Sequence, residues 1–141
     1  MEWLIEIDKN LPKDFHLIDY YDILDRIKIN IDDLLFDENN KAYLEVNSKL
    51  NNLKIYVIKW NGYIDIHDHD DYGCIFKILK GSIKTNLYNK NLEYIKTIYY
   101  YQHEKGYIDN EIGYHSVENN DKNASYSLHI YSKNYSPNYF V

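Results

Sequence analysis

The chain is poor in everything that would cross-link or stiffen it: one cysteine (Cys74), one arginine (Arg26), one methionine, two prolines and five glycines among 141 residues. A lone cysteine cannot close an internal disulfide, so a packed core has to hold the fold, and a reducing, cytoplasmic setting is expected. No apolar run approaches the length that crosses a bilayer. The opening stretch MEWLIEIDKN carries acid where a signal peptide carries base. Positive charge is scarce as well. Sixteen Lys and Arg face 22 Asp and Glu, for a net charge of -6, which excludes the basic stripe of a nucleic-acid surface. What is abundant is tyrosine: 17 residues supply much of the apolar area of a chain that is 45% hydrophobic and 27% charged. One domain spanning residues 1–141, with no nucleic-acid or membrane partner, is the expectation.

Leu11-Pro12 reads as a helix start, because proline is tolerated in a first turn. Leu17, Tyr21, Leu24, Ile27 and Ile31 then recur at helical spacing, which predicts an amphipathic helix, and residues 30–36 read as a second short one. From about residue 42 the pattern turns to β. Residues 53–60, 74–79, 82–88, 92–101 and 125–132 are rich in Ile, Val, Tyr and Phe, with polar or glycine-bearing breaks between most of them. Many short strands predict an all-β barrel or sandwich, capped by a helical region over about residues 1–40.

The histidines carry the chemistry. In a strand, residues i and i+2 share a face, so His67 and His69 are placed to chelate one ion; on a helix they would diverge. The pair alone reads equally well as a solvated polar segment. A third histidine, His115 in IGYHSVEN (residues 112–119), follows a strand-and-turn stretch, and a barrel can fold that later strand beside the first.

The spacing from His67-x-His69 to Cys74 and on to Gly81 resembles the first cupin motif, with Cys where most cupins carry a metal-binding Glu. His115-x-x-x-Asn119 resembles the end of the second. The wording HDHDDYGC, IGYHSVEN and SYSLHIYS, in that order between residues 43 and 132, is similar to the cysteine dioxygenase family. This resemblance implies a cupin (jelly-roll-like) barrel in which His67, His69 and His115 hold one iron(II). It also implies the activity: cysteine or a close small thiol and O2 give a sulfinate. Three neutral imidazoles suit Fe, Zn, Ni or Cu and leave coordination positions open. A ligand set without carboxylate keeps more positive charge, which favours an anionic thiolate. The resemblance extends to Ser127, His129 and Tyr131, which alternate along one predicted strand and match the family's Ser-His-Tyr array. Cys74 and Tyr131 match the residues that form a Cys–Tyr thioether.

The chain also departs from the family. The family's Tyr-x-Arg segment, whose Arg holds the substrate carboxylate, aligns with Lys41-Ala-Tyr43, so a planar two-pronged clamp is replaced by a point charge. Lys41 and Tyr43 are the candidate substrate-binding residues, and a weakened grip on carboxylate is expected. Nine residues follow Ser132, which predicts a more open pocket or one that a partner covers. Three rivals stand beside this reading. One is a 2-oxoglutarate oxygenase using His69, Asp71 and His115, for which only Lys122 and Lys133 offer a later basic residue. A second, on ligand type alone, is a zinc hydrolase or lyase, which leaves Cys74 and Tyr131 unexplained. The third is a degenerate cupin kept as a metal-binding or structural protein without dioxygenase activity.

Overall fold

The computed structural model describes residues 1–44, 46 and 49–140. Strand β1 (Lys41–Tyr43) opens a series of nine, through β2 (Leu53–Trp60), β3 (Tyr63–His67), β4 (Cys74–Lys80) and β5 (Ser82–Tyr88). β6 (Tyr94–Tyr101), β7 (Lys105–Ile108), β8 (Tyr114–Asn119) and β9 (Ser125–Ser132) complete it. They form two antiparallel sheets, in the orders β1-β2-β9-β4-β7 and β3-β8-β5-β6. β2, β5 and β9 span the residues that composition predicts. Composition did not mark β1, which is only three residues long, or β3, which carries Asp65; the histidine spacing did presuppose a strand through His67, and β3 ends there at the polar HDHDD run.

The first sheet is buried on both faces, so β2 reads as a near-continuous apolar run, while β9 alternates Ser127, His129 and Tyr131 on its inner face with Leu128 and Ile130 on its outer one. On its outer face Leu53, Ile55, Val57, Ile75, Leu128 and Ile130 pack with Leu4, Leu17 and Leu24 from the N-terminal region. On its inner face Tyr56, Ile58, Trp60, Cys74, Phe76 and Tyr131 pack with Ile83, Leu87 and Val117 of the second sheet. The barrel interior is therefore one core and the N-terminal cap seals another.

The cap differs from the helix that periodicity predicts. An α-helix, α1, covers Glu2–Lys9, and the predicted long helix is a kinked 3-10 run over Leu17–Arg26 with a second short 3-10 turn at Ile31–Asp33. Tyr20 (φ -114°, ψ 18°) breaks the run, and Ile27 is already extended. Leu17, Leu24 and Ile27 are buried as the spacing requires. The segment is tied to the barrel where the Leu17 N–H donates to the Tyr72 carbonyl (2.8 Å) and Phe15 stacks on Tyr72 (4.6 Å). Tertiary contacts set its backbone over local propensity. Asp8, at the end of α1, is fully buried and accepts the backbone N–H groups of Asn51, Asn52 and Leu53 (2.8–3.0 Å), fixing the entry to β2. Among the described residues no helix is long and apolar enough to cross a membrane.

Candidate metal centre

His67 is the last residue of β3, and the β3–β8 register sets it directly opposite His115. His69 lies beyond the strand end, so the strand-face argument does not place it. Instead its N–H donates to the Asn110 side chain (2.8 Å), while next to it the Asp68 carboxylate takes the Asn138 backbone and amide N–H groups (2.8 and 2.9 Å). The rings converge all the same, with centroids 4.7 Å apart for His67–His115 and His69–His115 and 5.1 Å for His67–His69. One ring nitrogen from each lies within 4.8 Å of the others. Asp71 is exposed, and among the described residues this group contains no carboxylate, which removes the two-His, one-carboxylate triad.

The chemistry of these donors fits a metal ion. His69 is 2% exposed, and neither of its ring nitrogens has a hydrogen-bond partner. Leaving a buried polar group unpaired costs about 1–3 kcal/mol, and a ligated ion removes that cost. His67 donates Nδ1–H to the Asp65 carbonyl (2.8 Å), which leaves Nε2 with its lone pair for a ligand bond. Burial pulls the pKa of all three imidazoles down, and the neighbouring histidines add to the effect at His69 and His115. All three are neutral at pH 7, the form that binds metal.

Ser127, His129 and Tyr131 share the inner face of β9. The Trp60 Nε1–H donates to Ser127 Oγ (2.7 Å), and Ser127 Oγ lies 2.6 Å from His129 Nε2. Since the indole is a donor only, the serine accepts from it. His129 Nδ1 faces the Tyr131 hydroxyl (3.3 Å) and the Cys74 sulfur (3.8 Å). Burial, helped by the charges of Lys41 and His67, pushes the His129 pKa down to about 3. Cys74 and Tyr131 are cross-strand partners on β4 and β9, and their thiol and hydroxyl lie within hydrogen-bonding reach. Burial pushes both pKa values up, so both groups are protonated. Gly106 on β7 has a local reason: a Cβ there would overlap the Phe76 ring, which stacks on His129 at 5.5 Å.

These side chains enclose a cavity of about 20 Å³, lined among others by Trp60, His67, Cys74, His115 and Tyr131. That is room for about one water. The expectation of an open pocket is thus overturned. Residues 135–140 pack beside the imidazoles: Tyr135 stacks on Tyr131 (4.5 Å) and on His69 (5.6 Å), Tyr139 bridges to His67, and the Phe140 N–H donates to the Ile66 carbonyl (2.8 Å). Sequence reasoning missed Tyr135 because it follows the last strand, where no periodicity speaks for it. It missed Trp60 although its even spacing from Tyr56 was a usable signal. Of the candidate substrate residues, Lys41 points its Nζ at the Tyr56 ring (5.1 Å), and Tyr43 is half exposed with its ring 5.0 Å from the same tyrosine. His16 and His103 are exposed and remote from the centre, His16 resting on the Asp71 carbonyl.

A family profile described as Cysteine dioxygenase type I matches residues 32–139. The chain belongs to that family. It is 39% identical over 74 residues to the rat and bovine proteins named Cysteine dioxygenase type 1, a stretch that is 48% of this chain and 37% of each relative. The match thus spans little more than a third of those relatives. Among solved structures, an oxalate decarboxylase from Bacillus subtilis superposes with a TM-score of 0.57 at 13% identity, covering 77% of this chain and 29% of that one. The oxalate decarboxylase of Lactobacillus farciminis in its formate complex gives 0.55 at 16%, covering 79% and 35%. At such identities the likeness speaks for the fold alone, and the fold is a cupin barrel.

Proposed function

We propose that the chain is an iron(II)-dependent thiol dioxygenase, taking R–SH and O2 to R–SO2H with cysteine or a close small thiol as substrate. The observation that carries this reading is the buried group of three neutral imidazoles, with His69 unpartnered, beside the Ser127-His129-Tyr131 array. Iron(II) held by His67, His69 and His115 would supply open coordination positions that bring thiolate and dioxygen together.

The remaining roles fall to the chain's own residues. With a pKa near 3, His129 holds an extra proton at pH 7 in only about one molecule in ten thousand, so it orients rather than accepts. Its Nδ1 lies against the Tyr131 hydroxyl, which Cys74 and Tyr56 also reach by hydrogen bonds, so the phenol is held in one orientation beside the cavity. Ser127 holds the imidazole in place, and Trp60 holds Ser127. Phe76, Ile83 and Val117 keep the cavity dry. Lys41 and Tyr43 flank Tyr56 on the substrate side. In this reading Cys74 and Tyr131, cross-strand partners, join as a thioether: the bond forms between sulfur and ring carbon, and the two hydrogens lost pass to dioxygen.

The test is oxygen uptake by protein loaded with iron without air, offered a panel of small thiols. Uptake of one O2 per thiol, with the product heavier by two oxygen atoms, is the expected result. The second reading, a cupin that keeps metal but does no oxygen chemistry, is favoured by the 20 Å³ cavity, which is too small for cysteine as it stands. Iron binding with no uptake for any thiol would establish it.

A further inference from the structure

Register gathers a second set of side chains around His115, on the inner face of the second sheet. On β5, Leu87 stands directly opposite His115 of β8, and Thr85 stands opposite Ile98 of β6. With Phe76 of β4 and Ile108 of β7 from the first sheet, they enclose a cavity of about 210 Å³. Ile112, 44% exposed, and the exposed Lys96 also line it, so it opens to solvent on their side.

His115 and Phe76 line both this cavity and the 20 Å³ space at the imidazoles. Of the two, His115 is a metal donor, so Phe76 is the partition that can swing. Its ring meets Tyr100 edge-on at 4.9 Å and lies over Gly106, where a Cβ would overlap it. Side chains in a packed core still change rotamer. The walls offer water little. Leu87, Ile98, Ile108 and Ile112 are apolar, the Thr85 hydroxyl donates to the Ile98 carbonyl (3.0 Å), and the Tyr107 hydroxyl donates to the Asp109 carboxylate (2.6 Å). A buried water wants about two to four polar partners, whereas an apolar cavity stays dry and takes up apolar molecules. Dioxygen is such a molecule: it is uncharged, forms no strong hydrogen bond, and leaves water for apolar surroundings. A charged amino acid faces the opposite balance, because its hydration would be lost there. The surroundings of His69 differ, with Asp68, Asn110 and Asn138 lining a separate polar pocket.

We propose that the 210 Å³ cavity collects small apolar molecules, dioxygen among them, and passes them to the metal centre when the Phe76 ring swings. The assignment of dioxygen rests on the thiol dioxygenase reading and gives that reaction a separate gas route on the His115 side.

Xenon, an apolar probe, tests the cavity without any chemistry. In crystals of the zinc-loaded protein pressurised with xenon, density is expected between Leu87, Ile98 and Ile108, and its absence there overturns the proposal. Nitric oxide, a dioxygen surrogate that iron(II) binds without a thiol, tests the route in stopped flow. Ile98→Trp fills the cavity and is expected to slow nitric oxide binding several-fold with iron content unchanged. Tyr99→Trp puts the same ring on the outward, exposed face of β6 and leaves the rate unchanged. Thermal melts show whether each variant is folded, and Leu87→Phe is the second filling variant should Ile98→Trp not fold. A folded, filled variant that binds nitric oxide at the wild-type rate overturns the route while the dioxygenase reading stands. That reading fails by a different result, no oxygen uptake with any thiol, which leaves the xenon and nitric oxide results to judge the cavity.

Discussion

Along β9, Leu128 and Ile130 on one face are fully buried against the N-terminal cap, and Ser127 and His129 on the other are buried almost as completely inside the barrel. Burial is nearly equal, but the physics is not. The outer face excludes water with side chains that ask for nothing more, so its contribution scales with apolar area. The inner face buries hydroxyl and imidazole groups that each need a partner, and it supplies them along one chain of bonds from Trp60 through Ser127 and His129 to Tyr131. Where that supply stops, at His69, the unmet demand marks a ligand site. One strand thus buries apolar side chains on one face and a bonded row of polar ones on the other.

The comparison breaks most completely at the metal. His115→Ala removes one of three imidazoles and is expected to abolish nearly all iron binding, read by metal analysis, while the fold survives in circular dichroism. Full metal content in that variant would remove the three-histidine assignment. On the opposite face, Leu128→Ala should cost about 2–5 kcal/mol in urea unfolding, the range for truncating a buried leucine. Iron stoichiometry in the folded fraction should stay the same, which separates the two faces.

Acid sharpens the contrast, because the inner face titrates and the outer one does not. His129 has a folded pKa near 3 against about 6.5 unfolded, so about a unit or more above pH 6.5 neither state holds its proton and stability is flat. Between those values the unfolded chain binds more protons, and stability falls as pH falls, by up to about 1.4 kcal/mol per unit for this group alone. His67, His69 and His115, also shifted down by burial, add with the same sign. Urea midpoints of metal-free protein should be level above about pH 7.5, decline through pH 6.5 and drop further by pH 5. His129→Gln should make that drop shallower.

A smaller change tests the bond chain itself. Ser127→Ala strands the Trp60 N–H and the His129 Nε2, and is expected to cost about 1–3 kcal/mol for the deletion of a single oxygen. The mildest effect concerns Cys74. After exposure to iron and oxygen the intact mass should fall by two hydrogens, and Cys74→Ser should show no such loss while keeping its stability nearly unchanged. An unchanged mass in the wild type after turnover would remove the thioether.

How much of this was legible beforehand depended on whether the signal was local. β2, β5 and β9 could be bounded from composition because their Ile, Val and Tyr content is bracketed by breaks such as Asn61-Gly62 and Lys80-Gly81. The histidine positions could be read from their spacing and their resemblance to a family. The cap could not. Residues 17–26 carry a helical apolar period, but a backbone bond to Tyr72 and packing on the first sheet hold them as a kinked 3-10 run.

The sequence by itself determined the chemical inventory: three histidines in two motifs, a Ser-His-Tyr alternation that any β-strand sends to one side, and a cysteine too solitary for a disulfide. Alternation and spacing are properties of a few neighbouring bonds, so they survive without knowledge of the fold. Tertiary structure alone decided that His115 faces His67 across two strands, that Cys74 is opposite Tyr131, and that Tyr135 stacks on His69 beside a cavity of about 20 Å³. It also decided that Lys54, unremarkable in the sequence, donates to the Tyr135 carbonyl. Each of these is a pairing between segments tens of residues apart. Register and burial on both sheet faces fix such pairings, and no local pattern encodes them.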